Sequence, residues 1–253
     1  MILNYEFHKN PKTNESETIV FIHGLFGNLS NLGMLARAFL ETHHVVQIDV
    51  RNHGKSEHSS EMNYVLMAQD VLETLDHLAV HNFNVVGHSM GGKIAMKLAD
   101  FAKDRLQKLI VLDMTPFAYQ ESHHDSVFKA LMAVENAHIS SRQEALVIMR
   151  EILSEEMVIQ FLMKSFNKGK FLFNVNTLYE HYSEILAWEN ICCETSALFI
   201  RGGASPYLKK DIHVEAVQQQ FPNAKIETVD GAGHWLHAEK TAEVLVLIKS
   251  FLN

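Results

Sequence analysis

A short apolar run, a turn and then a helical pattern: this unit recurs along the chain and leaves few folds open to it. Thr18–Ile22 leads to His23-Gly24, Val45–Ile48 to Asp49 and the turn Arg51-Asn52-His53-Gly54, and Phe83–Val86 to Gly87. Leu109–Leu112 leads to Asp113, Ala197–Ile200 to Arg201-Gly202-Gly203, and Lys225–Val229 to Asp230-Gly231. Runs this rich in Val, Ile, Leu and Phe suit strands buried on both faces, as in parallel sheets. Between them, residues 31–41, 64–78, 90–102, 211–221 and 240–252 carry apolar side chains at three- and four-residue spacing, which predicts helices with one buried face. Such alternation implies right-handed crossovers and an α/β sandwich around a largely parallel sheet. Chemistry in such sheets collects at the carboxyl ends of the strands.

From about Pro116 to Trp188 the alternation stops. Ser126–Glu135, Ser141–Leu153, Glu155–Phe166 and Val175–Trp188 are amphipathic, rich in Met, Leu and Phe, and contain no convincing buried strand. One crossover rarely needs so much chain. The expected organisation is a core of residues 1–115 and 189–253 with a helical cap, residues 116–188, inserted over the strand ends. An ordinary helical layer on one sheet face is the alternative.

Composition excludes several classes. The formal net charge is -8 and the Lys and Arg residues are scattered, which argues against nucleic-acid binding. The start, MILNYEFHKN, lacks the basic and apolar stretches of a secretory leader. No apolar run approaches the roughly 20 residues of a membrane span. The two cysteines, Cys192 and Cys193, are adjacent and offer no disulfide framework, so a reducing cytoplasm is expected. Sixteen histidines invite a metal reading. However, HExxH is absent, and His43-His44 and His123-His124 lack companion ligands at suitable spacing. The expectation is no metal, no cofactor and mostly solvated histidines.

Gly87-His88-Ser89-Met90-Gly91 matches G-x-S-x-G. Chance produces such a match in roughly one chain in ten of this length. Here it follows an apolar strand run and precedes a helical pattern, the setting in which a sharp turn exposes the serine as a nucleophile. A hydroxyl needs a base to remove its proton. Gly231-Ala232-Gly233-His234-Trp235, just after the last strand run, makes His234 the candidate. The base in turn needs a carboxylate to fix its tautomer and to stabilise the imidazolium.

That carboxylate commonly follows the penultimate strand, but here the stretch reads Arg201-Gly202-Gly203-Ala204-Ser205-Pro206, with Ser205 where the acid would stand. Asp113 closes the apolar run before it, a costly place for an unpartnered carboxylate. Asp113 is therefore preferred; Asp211, at a helix start that capping explains as well, and Asp230 or Glu239 are the alternatives.

An oxyanion would take two backbone N–H donors, one from Met90 and one from Leu25, with Phe26 as the alternative to Leu25. Phe26, His23 and Trp235 are candidate substrate-binding residues, and Phe128, Met132 and Leu162 could line an acyl pocket or simply fill the core. His23 and His88 suit loop orientation better than proton transfer. Asp49, Arg51 and Gly54 suit a turn with paired charges.

With these residues in view, the chain resembles the α/β-hydrolase superfamily, and more closely the small bacterial serine esterases of the YbfF type. The resemblance is strongest in HGLFGNLSNLG (23–33), DVRNHGKS (49–56), GHSMGGK (87–93), GGASPY (203–207 with Gly202) and GAGHWLHAEK (231–240). It implies a cofactor-free serine esterase with a helical cap, whose acid follows the earlier candidate strand; that matches Ser89, Asp113 and His234. Thr241 departs from the proline that relatives often carry there, at a helix start away from the chemistry. The expected reaction is hydrolysis of a small-molecule acyl ester or thioester, CoA esters included, with Lys93, Arg37 or Lys209 as a basic rim for a CoA phosphate. Carbon–carbon bond cleavage on the same residues, or a ligand-binding module, are the rivals. Dehalogenase and epoxide hydrolase chemistry would want aspartate at Ser89.

Overall fold

The computed structural model describes residues 1–10, 12, 17–120, 122 and 124–253. In chain order it forms β1 (Tyr5–His8), β2 (Thr18–Ile22), α1 (Gly33–Arg37), β3 (His44–Ile48), α2 (Tyr64–His77), β4 (Phe83–His88), α3 (Met90–Ala102) and β5 (Leu106–Leu112). There follow α4 (Asp125–Asn136), α5 (Arg142–Ile152), α6 (Glu156–Met163), β6 (Phe166–Asn167), β7 (Lys170–Phe171), α7 (Val175–Glu180) and α8 (Tyr182–Leu186). The chain closes with β8 (Ser196–Gly202), α9 (Asp211–Gln220), β9 (Ala224–Val229), α10 (Leu236–Glu239) and α11 (Thr241–Leu252).

The main sheet has seven strands in the order β1-β3-β2-β4-β5-β8-β9. All neighbours are parallel except β1 and β3. Strands β2 and β4 are buried throughout because both sheet faces are covered. Val20 and Ile22 pack into the apolar cluster with Met67 and Val71 of α2 and Ile94 of α3. Ile19 and Phe21, pointing the other way, pack with Leu35 of α1 and Ile248 of α11. Among the described residues no helix is long and apolar enough to cross a membrane.

Three differences from the sequence pattern have physical reasons. Strand β1 carries no apolar run because it is an edge strand with alternately exposed residues. The helix expected over 31–41 shrinks to five residues after a 3-10 turn at Leu29–Leu32, where Asn28 and Asn31 cap each other. The pattern over 175–188 divides at His181, whose ring bonds the Ser60 carbonyl at 2.8 Å and Glu184 Oε1 at 2.9 Å.

The segment between β5 and β8 touches loops at the carboxyl ends of the strands. Phe128 lies 5.3 Å from Phe26, and the Asn174 N–H bonds the Asn52 carbonyl at 2.9 Å. Tyr64 Oη donates to the Ile185 carbonyl at 2.7 Å. Lys93 adds another tie. Its Nζ donates to the carbonyls of Leu186 and Ala187 at 3.0 Å and stands over the rings of Tyr64 and Tyr119 at 5.4 and 5.1 Å. The expectation of Lys93 as a basic rim is thereby corrected: it is 1% exposed, and burial lowers its ammonium to about 7.

Most of the described histidines keep some solvent exposure, but five do not. His23, His53, His88, His213 and His237 are buried, and all of these except His213 lie in the loops and elements around Ser89 and His234. Burial lowers His237 to about 4, so its ring is neutral in the folded state at ordinary pH. In the unfolded chain it titrates near 6.5. Unfolding therefore takes up a proton as pH falls through that window, and stability falls with it. In urea titrations between about pH 6.5 and 4, His237→Gln should reduce the slope of unfolding free energy against pH by about one proton. An unchanged slope would contradict a neutral buried ring.

Candidate active site

Ser89 joins β4 to α3 with φ 55° and ψ -122°, a conformation that costs a residue with a Cβ. The Ser89 N–H is held by the Leu112 carbonyl at 3.0 Å. A Cβ on Gly87 would stand 2.2 Å from the Gly91 oxygen, and one on Gly91 2.3 Å from the Ile22 oxygen. Backbone meets backbone at both positions, so the tight turn requires glycine there. The turn leaves Ser89 partly exposed at the N-terminal, electropositive end of α3.

The imidazole of His234, from the loop after β9, connects Ser89 to Asp113. Its Nε2 lies 2.9 Å from Ser89 Oγ and its Nδ1 2.6 Å from Asp113 Oδ2. Asp113 follows β5 with φ 50° and is 0% exposed. Its Oδ1 accepts the Gly202 N–H at 2.9 Å, and its Oδ2 also accepts the Ser205 hydroxyl. Ser205, standing where an acid is commonly found, thus donates to an acid carried one strand earlier. A hydroxyl, an imidazole and a buried carboxylate so linked can take a proton from the hydroxyl and stabilise the resulting imidazolium.

The His234 loop is pinned from several sides. Glu239 Oε2 accepts the Gly233 N–H at 2.7 Å, His88 Nε2 donates to the His234 carbonyl at 2.8 Å, and the Tyr207 ring lies 4.3 Å from the His234 ring. Glu239 is therefore already engaged with backbone. Asp211 is the exposed first residue of α9, not its cap, and Asp230 is exposed.

The loop after β2 turns through a Gly27 N–H to Gly24 carbonyl bond of 3.1 Å. It runs beside Ser89: a Cβ on Gly24 would stand 3.1 Å from Ser89 Cβ. The Phe26 N–H is bonded to His53 Nε2 at 3.1 Å, whereas the Leu25 N–H bonds no described residue. Met90 is the first residue of α3, where the amide has no partner within the helix.

His23 is corrected as a polar substrate contact. It is 1% exposed, its Nδ1 donates to the Gly24 carbonyl at 2.8 Å and its Nε2 accepts the Val50 N–H at 3.1 Å. Both nitrogens are occupied by backbone. Phe26 is 2% exposed, with Phe128 and Phe173 rings at 5.3 and 5.2 Å. Leu162 is buried, Met132 is partly buried and Trp235, partly exposed, packs on Phe161 at 5.7 Å.

The motif around Asp49 shapes the neighbouring loop. Asp49 accepts the N–H groups of Leu29 and Lys55 at 2.7 and 2.8 Å. Arg51 clamps Asp70 through Nε and Nη2 at 2.6 and 2.9 Å. Among the described residues no His, Cys, Asp or Glu cluster has metal-holding geometry; His123 lies outside them. Sequence reasoning put Ser205 at the common acid position but missed its bond to Asp113, and it missed His53 and Tyr207 as members of this neighbourhood. The signal for those two was membership in the motifs DVRNHGKS and GGASPY.

Comparison with known proteins agrees with this architecture. A profile described as the alpha/beta hydrolase fold matches residues 17–136. Esterase YbfF of Escherichia coli is 44% identical, with the match covering 100% of each chain. The mouse protein named sn-1-specific diacylglycerol lipase ABHD11 is 36% identical over 92% of this chain and 80% of its own. A solved structure titled "Marine microorganism esterase" superposes with TM-score 0.89 at 28% identity, covering 99% of both chains. On this fold and this full-length similarity, the chain belongs to the alpha/beta hydrolase family.

Proposed function

We propose that the protein is a serine hydrolase of carboxylic esters and acyl thioesters that works through an acyl-enzyme on Ser89. The observation that carries this reading is the continuous link from Ser89 Oγ through His234 to Asp113, at 2.9 and 2.6 Å. Ser89 Oγ attacks the carbonyl carbon while its proton passes to His234 Nε2. Negative charge on the carbonyl oxygen is met by the N–H groups of Leu25 and Met90; the engagement of Phe26 with His53 favours Leu25 over Phe26. His234 then protonates the departing alkoxide or thiolate. Water, deprotonated by His234, attacks the acyl-serine and releases the acid, restoring Ser89.

Asp113 keeps the His234 proton on Nδ1, so that Nε2 faces Ser89 with a lone pair. Residues 116–188 act as a cap in this reading, and partly exposed Trp235 supplies apolar surface for a short- to medium-chain acyl group, while Phe26 and Phe128 are buried against each other. The names of the bacterial and mouse relatives, an esterase and a lipase, support ester cleavage. A thioester presents the same acyl carbon; exposed Arg37 and Lys209 are left as a basic rim for a CoA phosphate. The free, adjacent Cys192 and Cys193 support a reducing, cytoplasmic setting.

A fluorophosphonate probe should add one adduct to the intact protein and none to Ser89→Ala. Hydrolysis of an aryl ester and of an acyl-CoA should both fall in step with labelling; thioester turnover that survives full labelling would remove thioesters from the proposal. No adduct on the wild-type protein, or labelling of Ser89→Ala, would refute the nucleophile. In steady-state assays Asp113→Asn should lower kcat by roughly 10³–10⁴, whereas Asp211→Asn should change it less than about 2-fold. The reverse ranking would contradict Asp113 as the acid.

A further inference from the structure

We propose that His53 is a positioning residue for the oxyanion loop: its Nε2 takes up the Phe26 N–H and so leaves the adjacent Leu25 N–H as the donor facing the reacting carbonyl. This inference rests on the reading of Ser89 as an acyl-transfer nucleophile.

The loop after β2 passes beside Ser89 at Gly24 and carries two consecutive amides, of Leu25 and Phe26, directly after it, and it is not relaxed. Phe26 has φ 62°, in the left-handed region that a bulky side chain rarely occupies. Such a conformation persists only where its surroundings over-determine it. They do so here from each end of the residue. The Phe26 carbonyl accepts Ser165 Oγ at 3.3 Å, its ring is wedged against Phe128 and Phe173 at 5.3 and 5.2 Å, and its N–H meets His53 Nε2 at 3.1 Å.

The polarity of that last bond is fixed by its neighbours. His53 Nδ1 lies 2.9 Å from the Arg51 carbonyl, which can only accept, so the ring proton is on Nδ1. The other nitrogen is then a lone pair, which is what an amide N–H requires. Burial and the neighbouring His23 hold His53 down to about 3, so this tautomer is unchanged over the working range of an esterase. The Arg51 carbonyl is itself anchored, because its guanidinium clamps buried Asp70 on α2 and bonds the Glu61 carbonyl at 2.8 Å.

His23 makes the reciprocal link. From the oxyanion loop its Nε2 accepts the Val50 N–H, while His53, from the loop after β3, accepts the Phe26 N–H. The rings contact edge to face at 5.3 Å. Two neutral imidazoles thus lock two loops together, and only the His53 bond decides which amide of the Leu25-Phe26 pair remains available. A ring that merely filled core space would need no acceptor at that atom.

The test compares His53→Gln, which can place an acceptor near the Nε2 position, with His53→Asn, which stops short of it, and with His53→Leu, which has none. Kinetics on an aryl ester are read alongside inhibition by an aryl boronic acid, whose serine adduct puts an oxygen in the oxyanion position. His53→Asn and His53→Leu should lose about 30–100-fold in kcat with KM within about 3-fold, and should bind the boronic acid more weakly in proportion. His53→Gln should stay within about 5-fold of wild-type kcat. Should His53→Leu fail to fold, the Gln and Asn variants alone decide, since both are amides differing in reach. The proposal is overturned if His53→Asn keeps kcat within about 3-fold, if His53→Gln is as impaired as His53→Asn, or if the loss lies in KM. Fluorophosphonate labelling separates the two readings: a wild-type protein that takes no label refutes the nucleophile itself, whereas a labelled wild type with fully active variants refutes only the role of His53.

Discussion

A fully buried carboxylate at the end of β5 sets the geometry on which the rest of the site depends. Burying Asp113 without partners would cost several kcal/mol. Its oxygens instead receive the Gly202 N–H, the Ser205 hydroxyl and His234 Nδ1. These groups come from the end of β8 with the loop after it and from the loop after β9, so one side chain at the end of β5 joins three segments distant in sequence. The parallel pairing of Leu112 with Ile200 makes this possible, and the Asp113 N–H bonds the Ile200 carbonyl at 2.8 Å. In the proposed mechanism that carboxylate is what orients His234 toward Ser89.

Strain is gathered at the same end of the sheet. Phe26, Ser89 and Asp113 all have positive φ without being glycine, and each follows a parallel strand. Such conformations cost about 1–3 kcal/mol each and are retained where surrounding contacts force them. Here the contacts are backbone bonds to β5 and β8 for Ser89 and Asp113, and imidazole nitrogens for the loop of Phe26. Neutral buried histidines thus act as cross-links between loops rather than as metal ligands or solvated surface groups. The segment between β5 and β8 completes the packing, through Phe128 and Phe173 against Phe26 and through Lys93 on the last carbonyls of α8.

Much of this was legible in the sequence, for identifiable reasons. Helix α3 runs over 90–102 as its pattern predicts, because the glycine turn fixes its start, although residues 90–99 are buried on every side and not on one face alone. Asp113 could be singled out because a carboxylate closing an apolar run implies partners. Strand β1 was not legible, since an edge strand exposes alternate residues and makes no apolar run. The bonds of Ser205 and His53 were hidden for another reason: their partners lie 92 and 27 residues away, and only the folded sheet brings them together. Lys93 misled because a lysine beside a glycine turn looks like surface charge until its three carbonyl acceptors are in place.

The account turns on the bond between His234 Nδ1 and Asp113, and proton NMR reads that bond directly. A single imidazole proton should resonate far downfield in the wild-type protein, protected from exchange, and should respond to a boronic acid bound at Ser89. It should vanish in His234→Ala, shift strongly upfield in Asp113→Asn and stay in place in Asp211→Asn. A downfield proton that survives Asp113→Asn, or that Asp211→Asn removes, would contradict the displaced acid.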